Sequence, residues 1–130
     1  MTAWENHQKT VLVVDDSVEI LTAVRLSLEP KGFRVLEAND PFTGVRLAAS
    51  REPDAIVMDL DMPGMDGIET VKYLKRIEKT RGIPVIAFTG QVHALAGHLT
   101  ERGFERVVDK SSGLESLESE IEDVLVHSAA

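Results

Sequence analysis

The sequence contains no cysteine, which excludes disulfides and every thiolate metal site. No apolar run approaches the roughly 18 residues of a membrane-spanning helix, so no membrane association is expected. Met1 to Thr10 is polar and lacks the apolar segment of a signal peptide, and a cytoplasmic location is the default expectation. Positive charge is scarce: 14 Lys and Arg stand against 22 Asp and Glu, for a formal net charge of -8. That balance argues against direct binding of nucleic acid. The four histidines, His7, His93, His98 and His127, share no ligand spacing and are expected at the solvent surface. Trp4 is the sole tryptophan and lies in the N-terminal stretch, away from any motif. No internal repeat or low-complexity linker interrupts the chain.

What is present suits one compact domain of 130 residues. Folding at that size buries roughly two-thirds of the chain's surface. The apolar share of 43% and the charged share of 28% are ordinary for a globular protein. Val11 to Val14, Ala55 to Met58 and Val85 to Phe88 are short, continuous apolar runs. Runs of that length, apolar on both faces, predict central strands of a parallel sheet. Arg34 to Ala38 and Arg106 to Asp109 are more mixed and predict edge strands. Pro84 opens its run, where a missing ladder N–H is tolerated.

Helical patterns separate the strands. Ile20, Val24 and Leu28 repeat every four residues until Pro30 and Gly32. Asp40-Pro41 reads as a capped helix start, with Val45, Ala48 and Ala49 as the inner face. Ile68, Val71, Leu74 and Ile77 mark a third helix, and His93 to Arg102 a weaker fourth. Leu114, Leu117, Ile121 and Leu125 mark a fifth, with four glutamates elsewhere on it. Five alternations of strand and helix imply βαβ units and an α/β fold: a five-stranded parallel sheet flanked by five helices. In such sheets ligands sit beyond the carboxyl ends of the strands. Those ends carry Asp15-Asp16, Asp59, Thr89 and, just past the fifth strand, Lys110.

Asp59 opens the stretch "DLDMPGMDG", in which Asp61 and Asp66 follow around Pro63 and two glycines. Two ionised carboxylates ~4 Å apart repel by about 4 kcal/mol at an effective dielectric near 20. A cluster of them calls for protonation or a cation. The donors are all oxygen, so a hard divalent ion is indicated; Mg²⁺ suits a few carboxylates with a position left open for phosphate, and Mn²⁺ or Ca²⁺ could substitute. Lys110 adds a fixed positive charge, Thr89 a hydroxyl, and Gly90 a backbone N–H that an anion can approach closely. Acids, cation, Lys and Thr are the equipment for handling a phosphoryl group, which needs an in-line nucleophile and positive charge on the equatorial oxygens. Asp59, apart from the Asp15-Asp16 pair that could hold metal, is the nucleophile candidate; Asp61 belongs to the loop that shapes the site.

From "VLVVDDS", "PDAIVMDLDMPGMDGIE", "PVIAFTG" and "GFERVVDK", in that order, the chain resembles the receiver domain of two-component response regulators, the CheY-like group. The resemblance covers Lys9 to His127, so residues 1–9 are expected as an N-terminal extension and 10–128 as the receiver domain. It implies the flavodoxin-like strand order 2-1-3-4-5. It also implies that Asp59 accepts a phosphoryl group from a phosphohistidine on a sensor histidine kinase or a phosphotransfer protein. Asp16 and Asp59 would bind Mg²⁺ directly with the backbone carbonyl of Asp61, and Asp15 directly or through water. Lys110 would contact the phosphoryl oxygens. The Thr89 hydroxyl would move toward them and shift the face formed by the fourth helix, fifth strand and fifth helix, where a downstream protein or a second copy would bind. Asp61 and Gln91 match positions that tune hydrolysis of the acyl phosphate. Such a domain is not an enzyme beyond its own phosphorylation and dephosphorylation.

Three departures from that pattern stand out. Val107 occupies the place of the usual Tyr or Phe, three residues before Lys110, with Phe104 three residues earlier still. Ser111 follows Lys110 where proline is common and often cis, and a trans bond is expected here. The span from Thr89 to Lys110 is one residue short, and Gly97 lies within it, which predicts a short or mobile fourth helix. Two other readings compete. One is a phosphorylation-independent interaction module that keeps the fold. The other is a haloacid-dehalogenase-like phosphatase, whose D-x-D pattern "DLD" matches superficially. That motif would follow the first strand, however, and 130 residues leave no room for a cap domain.

Overall fold

A computed structural model describes residues 9–62, 66–90 and 101–128 of the chain, with His127 and Ser128 described by backbone alone. Strands β1 (Thr10–Val14), β2 (Arg34–Ala38), β3 (Ala55–Met58), β4 (Val85–Thr89) and β5 (Arg106–Asp109) form one sheet in the order β2-β1-β3-β4-β5. Every neighbouring pair is parallel. Helices α1 (Val18–Leu28), α2 (Pro41–Arg51), α3 (Gly67–Leu74) and α4 (Leu114–Ser128) are the four described; α4 is the fifth helix of the sequence reading. Residues 93–100 of the predicted fourth helix, and with them the expectation that it is short, lie outside the described residues. So do Gln91, Trp4, residues 1–8 and the side chains of all four histidines. Glu101 and Arg102, read as the end of that helix, lie instead in a turn closed by Gly103 at φ +103.

Alternation within the strands divides the core into two layers. Val11, Val13, Val57, Ile86, Phe88 and Val108 meet α1 and α4 on one face. Leu12, Val14, Ile56, Met58, Val85 and Ala87 meet α2 and α3 on the other. Because both faces are covered, the central strands carry apolar residues at every position rather than at every second one. Each fully buried Val or Leu contributes about 1.5–3 kcal/mol.

The helices begin where capping chemistry sets them. The Ser17 hydroxyl accepts from the Ile20 amide. The Asp40 carboxylate accepts from the Thr43 amide at 2.8 Å, and Asp66 accepts from the Glu69 amide at 2.8 Å. The inner face of α1 is Leu21, Val24 and Leu28, with Ile20 only partly buried. Helix α3 stops at Leu74, short of the predicted Ile77. The reason is local: the Thr80 hydroxyl donates to the Leu74 carbonyl at 2.6 Å. The Lys75 ammonium donates to the Arg81 and Ile83 carbonyls at 3.1 and 3.0 Å. These bonds satisfy the C-terminal carbonyl and fold the following turn back on the helix.

Candidate functional site

The parallel ladder carries polar residues to one edge. Asp15 directly follows β1, and its amide donates to the Ala38 carbonyl at the end of β2 at 3.0 Å. Asp59 directly follows β3, and its amide donates to the Val14 carbonyl at the end of β1 at 2.9 Å. The sheet's own register therefore fixes both backbones. Thr89 is the last residue of β4, one further than the sequence suggested, and pairs in register with Asp109; Lys110 comes next. Asp15, Asp16, Ser17, Asp59, Asp61, Thr89, Gly90 and Lys110 line one cavity of about 310 Å³. Every described residue proposed for the site from the sequence thus borders it.

Asp15, Asp59 and Thr89 are buried, at 2%, 5% and 0% exposure, while Asp16, Asp61 and Gly90 lie at the exposed mouth. The Lys110 ammonium stands between two acids, 2.9 Å from Asp15 Oδ2 and 3.5 Å from Asp59 Oδ1. The Asp61 amide donates to Asp59 Oδ1 at 3.4 Å. Burial, and then the charge of Asp15, push the Asp59 carboxyl above the usual range, against the opposing pull of Lys110. Burial opposes the charge on Lys110, but its hydrogen bond to Asp15 and the attraction of Asp59 and Asp15 outweigh it and raise its pKa.

One carboxylate oxygen each from Asp15, Asp16 and Asp59 falls within 4.8 Å of the others. The donor set is oxygen only, partly buried, and three acids face a single lysine. This fits a hard divalent cation, which would cancel the excess negative charge. The carboxylate of Asp61 is not in that group; the residue meets the site through its backbone.

Two contributors were not singled out from the sequence. Ser17 caps α1, which leaves Asp15 and Asp16 free of that task, and its amide donates to Asp15 Oδ1 at 2.9 Å. The signal was present: a serine three residues before the periodic apolar run is a good N-cap. Gly67 starts α3, and its amide donates to the Leu60 carbonyl at 3.1 Å. A Cβ there would collide with the Asp59 carbonyl oxygen and lie 2.7 Å from Leu60 Cα. Only the folded chain reveals that approach.

Two of the departures fall among the described residues. Val107 is partly buried against the same apolar layer as Phe104, which is itself 2% exposed. The Lys110–Ser111 bond is trans, as no described peptide bond is cis.

A family model for the response regulator receiver domain matches residues 11–122. The phosphate regulon transcriptional regulatory protein PhoB of Pseudomonas aeruginosa is 39% identical over 83 residues, 64% of this chain and 36% of that protein. Protein PilH of the same organism is 38% identical over 79 residues, 61% of this chain and 65% of PilH. The chain therefore spans less than two-thirds of either relative's length. Among solved structures, a two-component response regulator of the LuxR family from Aurantimonas sp. superposes with a TM-score of 0.83 at 31% identity, covering 91% of this chain and 85% of that one. With the sheet order, the acidic edge and the match over nearly its whole length in agreement, this chain belongs to the response regulator receiver domain family of two-component signalling.

Proposed function

We propose that Asp59 is the phosphoacceptor of a phosphorelay, taking its phosphoryl group from a phosphohistidine on a sensor histidine kinase or a phosphotransfer protein. The observation that carries this reading is the buried Asp59 carboxylate held 3.5 Å from the Lys110 ammonium at the carboxyl edge of the sheet. An Asp59 oxygen attacks phosphorus, the P–N bond breaks, and the imidazole leaves with its bonding pair and takes up a proton. Lys110 follows the phosphoryl oxygens, and the Thr89 hydroxyl donates to one of them from the end of β4. Asp15, Asp16 and Asp59, with the backbone carbonyl of Asp61, would hold Mg²⁺, and the ion would supply positive charge against the phosphoryl oxygens. Gly90 supplies a backbone N–H at the mouth. The protein turns over no external substrate; its chemistry is the formation and loss of its own acyl phosphate.

The output is a change in the face that includes β5 and α4, read by a downstream protein or by a second copy. Residues 10–128 form the receiver unit, 1–9 an extension, and the cytoplasm is the compartment. Val107 favours a second reading, a phosphorylation-independent module, because no aromatic ring stands in β5 to follow Thr89. Intact-mass measurement after incubation with Mg²⁺ and acetyl phosphate separates the two. A single phosphoryl adduct, absent in Asp59→Asn, supports the relay. No adduct at saturating donor leaves the phosphorylation-independent module.

A further inference from the structure

Lys110 reaches both buried acids from the first residue of a short 3-10 turn, Lys110–Ser112, whose far end the Ser116 hydroxyl meets through the Ser112 carbonyl at 3.4 Å. The closing backbone bond of that turn, from the Gly113 amide to the Lys110 carbonyl, is long at 3.4 Å. Ser111 is exposed and cannot anchor the turn by burial. The shortest bonds at its start come from the residue on the other side. Asp109 Oδ1 accepts from the Ser111 amide at 2.9 Å and from the Ser111 hydroxyl at 2.8 Å. One carboxylate oxygen thereby spans Lys110 and ties its two neighbours together. The backbone of Asp109 is itself fixed, since it pairs with Thr89 in the ladder.

From this geometry we infer that Asp109 and Ser111 are positioning residues, a polar clamp that aims the Lys110 ammonium at Asp15 and Asp59. The clamp's two bonds run from Ser111 to Asp109, on either side of Lys110, rather than to Asp15 or Asp59. It sets the direction in which the Lys110 stem leaves the sheet. The inference rests on the proposed role of Asp59 for its kinetic consequence, but not for its structural one. The acceptor must be an oxygen at this length of side chain, so Asn at 109 keeps the clamp and Ala removes it.

The test compares Asp109→Ala, Asp109→Asn and Ser111→Ala by crystal structure and by the rate of adduct formation from acetyl phosphate with Mg²⁺. In Asp109→Ala the Lys110 ammonium leaves hydrogen-bond reach of Asp15, and the rate falls about tenfold, as expected for a misplaced charge. Asp109→Asn restores both to within about threefold of the parent, and Ser111→Ala, which keeps the amide donor, falls between. Unchanged thermal unfolding in all three separates misplacement from loss of fold. An Asp109→Ala protein with Lys110 in place, or with the parent rate, overturns the clamp, as does an Asn variant as slow as the Ala variant. If the parent forms no adduct, the relay reading fails, while the position of Lys110 in the crystal structures still decides the clamp.

Discussion

Two cavities of this protein differ in size and in kind. The larger, about 670 Å³, runs along α3 and the turn at 101–103. It is lined by Asp66, Glu69 and Glu101 and by Lys72, Lys75, Arg76 and Arg102, so both signs of charge alternate around a largely exposed rim. The smaller, about 310 Å³, lies at the strand ends and gathers four acids beside one lysine. Its charges converge instead of cancelling, and two of its acids are buried. Volume therefore does not locate the chemistry. Burial combined with one dominant sign of charge is the better guide, because it pushes the Asp59 carboxyl up and favours a cation or a phosphoryl group.

The comparison is most sharply broken at Asp59. Asp59→Asn should abolish adduct formation from acetyl phosphate, whereas the double variant Lys72→Gln/Arg76→Gln should form the adduct at the parent rate by intact mass. Equal loss in the double variant would erase the distinction between the two cavities. Next in size, Lys110→Ala should slow adduct formation on the order of 100-fold, comparable to removing one donor that stabilises developing negative charge; stopped-flow kinetics would check it.

Stability changes are smaller. Gly67→Ala forces a methyl onto the Asp59–Leu60 backbone and should cost about 1–3 kcal/mol in urea unfolding. Lys75→Ala, at the larger cavity, should cost about 1–2 kcal/mol by leaving the Arg81 and Ile83 carbonyls without their donor, with adduct formation intact. Burial holds Lys75 below the usual lysine range, with Glu105 opposing, so that ammonium has a structural duty.

The smallest effect concerns pH. Asp59 has its pKa raised on folding, so the native state keeps a proton that the unfolded chain has released. Stability without metal therefore falls as pH rises through the window between the unfolded and the raised folded value of Asp59. Asp59→Asn should flatten that slope and stabilise the metal-free protein at neutral pH by on the order of 1 kcal/mol, read by thermal unfolding. A variant less stable than its parent would show that the Lys110 contact outweighs burial.

The same contrast shows what the sequence made legible. The continuous apolar runs at Val11–Val14 and Ala55–Met58 report strands covered on both faces, so the sheet and the residues at its carboxyl edge could be read directly. Local chemistry was harder. The end of α3 depends on Thr80 reaching back to Leu74, a bond between residues six apart that no periodicity records. The inner face of α1 is Leu21, Val24 and Leu28, a spacing of three and then four that a strict four-residue repeat from Ile20 misses. Gly67 looked like a loop residue until its neighbour was seen to be the Asp59 backbone.

That last contact has a mechanical meaning. With no side chain between them, the first peptide of α3 bears on the peptide that carries the Asp59 side chain, and no soft layer separates the two. A shift of the backbone at residue 59 would therefore press directly on the first turn of α3, with no side chain between them to yield first.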